Sequence, residues 1–264
     1  MIVFVLAITL NHMGLYYQSL GRMRDAERLY AQAFAMVEQT PGPASETGIE
    51  IALNLSTAYL ELDEVSQAES LIRRIIRTGS ELSPSNRAVM RAELASILAR
   101  KQDFHAAESL YLESMRVFER DPRREFRERT IIALSNLSTL YMRMNRFAEG
   151  RTFSERARAR LQTMPDPPFV LAFKTTANAA VISARTGRPD EAETLFRSAI
   201  ALCEKQLGRN YYLLGKVLNN YAEFLRSTGR RADARSAVKR AREILAGFGK
   251  ENSTGLTVDV TAFR

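Results

Sequence analysis

The sequence predicts an all-α fold: about six antiparallel helix hairpins stacked one on the next as an α-solenoid, followed by a short extended tail. Three observations predict it. One motif recurs six times at a nearly constant period, no proline falls in the interior of a predicted helix, and apolar residues follow helical periodicity along the chain before the tail.

The repeat is plainest at the two ends. "LNHMGLYYQSLGRMRDA" (Leu10 to Ala26) and "LNNYAEFLRSTGRRADA" (Leu218 to Ala234) align over 17 positions with seven identities. With the last alanine as anchor, equivalent small residues stand at Ala26, Ala68, Ala107, Gly150, Ala192 and Ala234, at spacings of 42, 39, 43, 42 and 42. A second small residue precedes each anchor by 12: Gly14, Ser56, Ala95, Ser138, Ala180 and Ala222. Small residues at fixed points let two helix backbones approach closely, which suits a tight antiparallel pair.

Each hairpin has its own signals. Five residues before the anchors stand Gly21, Asp63, Gln102, Asn145, Gly187 and Gly229, and five of these six are Gly, Asn or Asp, which tolerate a left-handed backbone. In the second hairpin "SQAE" (Ser66 to Glu69) has capping-box spacing, and in the fifth "RPDEAE" puts Pro189 in a first turn. Pro41, Pro43, Pro84, Pro122, Pro165, Pro167 and Pro168 fall in the joints between hairpins. Inside a helix each would cost about 3 kcal/mol. The hairpins span approximately 3–41, 45–82, 85–121, 126–164, 168–207 and 211–247, giving an array over 1–249 and a tail over 250–264. "GFGKENSTG" is expected to break the last helix at Gly247, and "LTVDVTAF" then alternates like a strand that folds back as a cap.

The unit resembles the tetratricopeptide repeat. Tyr17, Tyr59 and Tyr141 match its first-helix aromatic site; Tyr30, Tyr111 and Phe196 match the second-helix aromatic site; Ala33, Ala157, Ala199 and Ala241 match the small site three residues on. Ile72, Ile75, Ser114 and Ser183 depart from that pattern. The 42-residue period, clearest in hairpins 5 and 6, is similar to the kinesin-light-chain type of these repeats, which is also widespread in bacterial proteins. The resemblance implies a right-handed superhelix whose first helices line a concave groove for an extended peptide of a partner protein.

On that reading, one inward position of the first helices carries His12, Asn54, Glu93, Asn136, Asn178 and Asn220. A carboxamide both donates and accepts, so an asparagine ladder can clamp a peptide backbone of any sequence. The alternative is that these side chains bond a neighbouring helix. Seven residues on stand Ser19, Glu61, Arg100, Arg143, Arg185 and Ser227, and four residues before the ladder Ile8, Glu50, Val89, Ile132, Lys174 and Lys216. The face thus turns from acidic or neutral in hairpins 1 and 2 to basic in hairpins 3 to 6, where Arg226 adds to it. Lys174 with Asn178, and Lys216 with Asn220, share a face at i and i+4. Singly each charge reads as a solvated helix face; as a set they suggest an acidic segment or a C-terminal carboxylate as ligand.

Composition excludes less than it suggests. The net charge of +8 favours anionic partners, but 32 arginines against 6 lysines also fits a GC-rich genome. The second helices carry "ERARAR" (155–160), "RRADAR" (230–235) and "KRAR" (239–242), so a nucleic-acid-associated protein is the rival reading, with a regulatory or oligomerisation module of a larger signalling protein a further one. Nothing points to catalysis, a cofactor or a metal: His12 and His105 are far apart, Cys203 sits in an apolar stretch, and no phosphate-binding glycine motif occurs. A single cysteine fits a reducing, cytoplasmic setting. "IVFVLAI" (Ile2 to Ile8) lacks the flanks of a signal peptide and is too short to span a bilayer, so no membrane role is expected. It reads as an uncapped apolar helix, covered by further chain or by a second subunit as a homodimer.

Overall fold

Six residues with positive φ set the hairpins: Gly21 (75°), Asp63 (62°), Gln102 (65°), Asn145 (58°), Gly187 (75°) and Gly229 (82°). They are the six turn positions of the repeat, so Gln102 adopts the left-handed conformation despite its residue type. At each turn the next residue donates its N–H back to a first-helix carbonyl, as Arg22 to Tyr17, Asp103 to Leu98 and Arg230 to Leu225, at 2.7–2.9 Å over the six turns. The carbonyl of that same residue then accepts the first bond of the second helix, from the anchor: Ala26 to Arg22, Ala107 to Asp103, Ala234 to Arg230. A Schellman-type stop and the next helix start therefore share one residue.

The computed structural model describes residues 2–39, 42–79, 82–207 and 211–249, and among these it contains twelve helices and no strand. They are α1 (Ile2–Ser19), α2 (Met23–Gln39), α3 (Glu46–Glu61), α4 (Val65–Thr78), α5 (Pro84–Arg100), α6 (Phe104–Phe118), α7 (Arg124–Arg143), α8 (Phe147–Gln162), α9 (Phe169–Arg185), α10 (Pro189–Leu207), α11 (Tyr212–Ser227) and α12 (Arg231–Gly249). The all-α repeat architecture read from the sequence is the one observed. Residues 250–264, on which the proposed capping tail falls, lie outside the described residues.

The chain divides between Arg120 and Asp121 into two compact units of three hairpins each, α1–α6 and α7–α12. Within the first unit α3 packs on α1 and α2, and α5 on α3 and α4; within the second α9 packs on α7 and α8, and α11 on α9 and α10. All six anchors and all six partner positions are buried. At Gly14 an added Cβ would meet the Tyr30 ring at 2.5 Å, and at Gly150 it would meet the Ser138 carbonyl at 3.0 Å. Two of these crossings thus leave no room for a methyl group.

Two local expectations are corrected. Ser66 does not cap α4: the helix already starts at Val65 with Glu64 as N-cap and no side-chain cap bond, because the backbone turn at Asp63 fixes the start one residue earlier. Nor does Gly247 end α12, which continues to Gly249; a glycine there costs only about 1 kcal/mol. Pro189 opens α10, and Pro84 opens α5 behind the Ser83 cap.

Three of the four departures from the repeat pattern have a place in the packing, while Ser114 is buried with its hydroxyl unbonded among the described residues. Ile72 and Ile75 are buried core residues. Ser183, in place of the first-helix aromatic, donates to Glu191 Oε2 at 3.1 Å. In the fourth hairpin the second-helix ring comes from Phe153, one position before the expected site, and stacks on Tyr141 at 5.1 Å.

Candidate functional site

The ladder positions differ between the two units. In the first, Asn54 on α3 donates from Nδ2 to Asn11 Oδ1 on α1 at 2.9 Å, and Asn11 donates to Glu50 Oε1 at 3.2 Å. Glu93 on α5 accepts from Ser56 Oγ at 2.6 Å. His12 is exposed beside the buried Asn11. The polar groups of this face are therefore engaged with one another, helix to helix. For Asn54 the neighbouring-helix alternative is the one realised, because Asn11 offers a carboxamide within reach. Asn11 lies one position before the ladder register, and its signal in the sequence is a polar side chain among apolar ones near the start of the repeat.

In the second unit Asn136 on α7, Asn178 on α9 and Asn220 on α11 are half-buried, and their side chains make no hydrogen bond with any described residue. They occupy the same register on three helices packed in succession, α7 on α9 and α9 on α11. Around them lie the exposed Ile132 on α7 and Lys174 and Arg185 on α9, with the half-buried Arg143 on α7 and Lys216 on α11. The Lys216 ammonium lies over the Tyr212 ring at 5.6 Å. Arg226 is exposed and its side chain pairs with no described residue.

Charge distinguishes two of these helices as well. Helix α9 carries Lys174 and Arg185 and no acid, whereas α3 carries Glu46, Glu50 and Glu61 and no base. In the first unit Arg100, at the end of α5, donates through its guanidinium to the Leu60 carbonyl at the end of α3. Glu223 is the one acid on the α11 stretch that follows Asn220.

The arginine-rich second helices meet acids of adjacent hairpins. Arg158 pairs with Glu191 at 2.5 Å, Arg188 with Glu155 at 3.2 Å, Arg230 with Glu193 at 2.6 Å and Arg240 with Glu204 at 2.5 Å. In the first unit Arg24 pairs with Glu64, and Lys101 with Glu69. Hydrogen bonds from Lys101 and Arg73 hold the Glu69 carboxyl below the usual carboxylate range. Burial pushes Glu191 up, but bonds from Arg158 and Ser183 outweigh it and hold this carboxyl low too. Of the nine cations in the three basic runs, Arg158, Arg230 and Arg240 are thus tied to acids, and Arg156 lies over the Phe153 ring at 5.3 Å.

His12 and His105 are both exposed, on α1 and α6. Burial pushes the Cys203 thiol up to about 11, as expected for a packed rather than a reactive cysteine. Among the described residues no cluster of three His, Cys, Asp or Glu side chains could hold a metal ion, and no helix is long and apolar enough to cross a membrane.

Comparison with known proteins agrees with the repeat geometry. Among curated proteins none matches the sequence. Among solved structures, BtubC (BKLC) from P. vanneervenii is 16% identical, covering 95% of this chain and 93% of that one, with a TM-score of 0.59. A Rap protein complexed with Competence and Sporulation Factor is 12% identical, over 94% of this chain and 66% of that one, at a TM-score of 0.70. The Rap conjugation gene regulator of the plasmid pLS20, in complex with the Phr* peptide, is 12% identical over 91% and 74%, at 0.59. At such identities the likeness is one of fold. The tetratricopeptide repeat model matches residues 5–78 and 172–246, more than half of the sequence, and the chain belongs to the tetratricopeptide repeat family.

Proposed function

We propose that the chain is a non-catalytic protein-interaction scaffold that holds an extended, acidic segment of a partner protein on the first-helix face of α7, α9 and α11. The observation that carries this reading is the trio Asn136, Asn178 and Asn220: three carboxamides in one register, partially exposed and without a partner among the described residues. An extended backbone offers N–H and C=O groups on alternate sides, and each carboxamide can meet one of each. Lys174, Arg185, Lys216 and Arg226 surround the trio with positive charge, which favours aspartate, glutamate or a terminal carboxylate along the bound chain. Ile132, exposed on α7, adds an apolar contact for one ligand side chain.

Structural neighbours support the class of ligand, since two Rap proteins of the same fold are complexes with Competence and Sporulation Factor and with the Phr* peptide. A nucleic-acid reading through the second helices is weaker, because arginines of all three basic runs meet acids of neighbouring hairpins. The test is a selection from a library of random extended peptides. Enriched peptides should be acidic, and should bind the Asn136→Ala, Asn178→Ala, Asn220→Ala triple variant at least tenfold more weakly than the parent. Equal binding by the triple variant, with the fold intact, contradicts the reading.

A further inference from the structure

Helix α1 has three faces with different fates. Ala7, Asn11 and Gly14 are buried, and Ile8, His12, Leu15 and Ser19 continue the ladder face. The third face carries Val5 (57% exposed), Leu6 (44%), Met13 (45%) and Tyr16 (62%) around the exposed Thr9. The whole helix contains no Asp, Glu, Lys or Arg.

The register of that third face says what kind of surface it is. The positions equivalent to Tyr16 are Ala58, Ile97, Ile182 and Phe224, and those equivalent to Thr9 are Ile51, Met90, Thr175 and Val217; all eight are buried. They lie on α3, α5, α9 and α11, each of which packs against the hairpin before it in its own unit. The apolar face of α1 is thus shaped to receive helices, by the same contact that the molecule uses between its hairpins.

We propose that this face pairs with the same face of a second copy, giving a head-to-head dimer through α1. A stack of α1 against the last hairpin of another copy would be the alternative arrangement. Helix α12 disfavours it: Arg231, Arg235, Lys239 and Arg242 are exposed there, and their side chains pair with no described residue. Packing them against Leu6 and Met13 would strip four cations of water without compensation. Two copies of a charge-free helix meet antiparallel with no such cost, and a closed isologous pair leaves no open end to polymerise. The dimer face is distinct from the ladder face, so this inference stands apart from the peptide reading.

The test is the mass of the 264-residue chain in solution. Light scattering should give twice 29.8 kDa, and a single-chain mass across the accessible concentration range overturns the proposal. A Met13→Lys, Tyr16→Glu double variant should give a single-chain mass with an unchanged helical circular dichroism spectrum; a dimer persisting in that variant also overturns it. Because these substitutions could unfold the helix, Thr9→Cys provides a second readout in the middle of the face. Oxidised Thr9→Cys should run as a disulfide-linked dimer, free of interference from the buried Cys203, and Ser236→Cys on α12 should not. The converse crosslinking pattern overturns the head-to-head arrangement.

Discussion

The two units are built from one hairpin, yet their first-helix faces are not interchangeable. In the α1–α6 unit the polar groups close on each other: Asn54 to Asn11, Asn11 to Glu50, Ser56 to Glu93. In the α7–α12 unit the matching asparagines stay open and stand among cations. Asn54 shares the register of Asn136, Asn178 and Asn220, whereas His12 and Glu93 take it on α1 and α5. What differs is whether an acceptor sits one helix away, and that difference converts a structural hydrogen bond into an available one. The Asn54 carboxamide is bonded to a neighbouring helix, whereas those of Asn136, Asn178 and Asn220 make no hydrogen bond with a described residue.

The largest expected effect follows directly. Replacing Asn136, Asn178 and Asn220 together by alanine removes three ligand bonds worth about 1 kcal/mol each, or on the order of a hundredfold in affinity, with little change in melting temperature. Asn54→Ala should do the reverse, lowering stability by about 1 kcal/mol while leaving peptide affinity unchanged. Calorimetric titration with a selected peptide, paired with thermal melts, separates the two outcomes.

The fold should not respect this division. Ala68→Leu in the first unit and Ala192→Leu in the second overpack equivalent helix crossings, where both alanines are fully buried. Each should cost roughly 1–3 kcal/mol in denaturant titrations. A large loss in one and none in the other would show that the units differ in packing as well as in surface.

Acid should produce a smaller effect. Glu69 in the first unit, and Glu191 and Glu193 in the second, have carboxyls held below the usual range by their cationic partners. Such groups contribute stability that is full above the unfolded carboxylate value of about 4.3 and is lost as pH falls through the lower folded value. Melting temperature should therefore fall below about pH 4. Glu193→Gln should flatten that dependence, because it removes the group tied to both Arg230 and Arg197. The change will be modest, since these pairs are partly exposed and screened.

Most of the architecture was legible in the sequence, and the reasons are local. Small residues at the crossings and turn residues five positions earlier act within one hairpin, so a period search finds them. Where a position obeys the fold against its own preference, residue type misleads: Gln102 is left-handed because both flanking helices require the turn there. Ser66 has the right capping pattern in the wrong place, since the turn geometry had already started the helix. The middle of the chain, residues 79–171, falls outside the family match, and it holds the two irregular spacings, the displaced Phe153 ring and the glycine at the fourth anchor.

The candidate site was less legible, because its state depends on residues a full repeat away. Asn54 and Asn178 read alike in sequence; only the position of Asn11, 43 residues before Asn54, tells them apart. Ser183 likewise looked like a lost aromatic until Glu191 stood beside it. The arginine runs read alone as a phosphate-binding surface, and the acids that pair with Arg158, Arg230 and Arg240 lie in neighbouring hairpins, beyond the reach of local patterning.

The central claim is that the open asparagines, and not their closed counterparts, hold a ligand. One measurement tests it most directly: the affinity of a selected acidic peptide for the parent, for Asn54→Ala and for the Asn136/Asn178/Asn220 triple alanine variant, measured by calorimetry at one salt concentration. The account predicts unchanged affinity for Asn54→Ala and a loss on the order of a hundredfold for the triple variant. Equal binding by all three proteins, or a loss confined to Asn54→Ala, would contradict it.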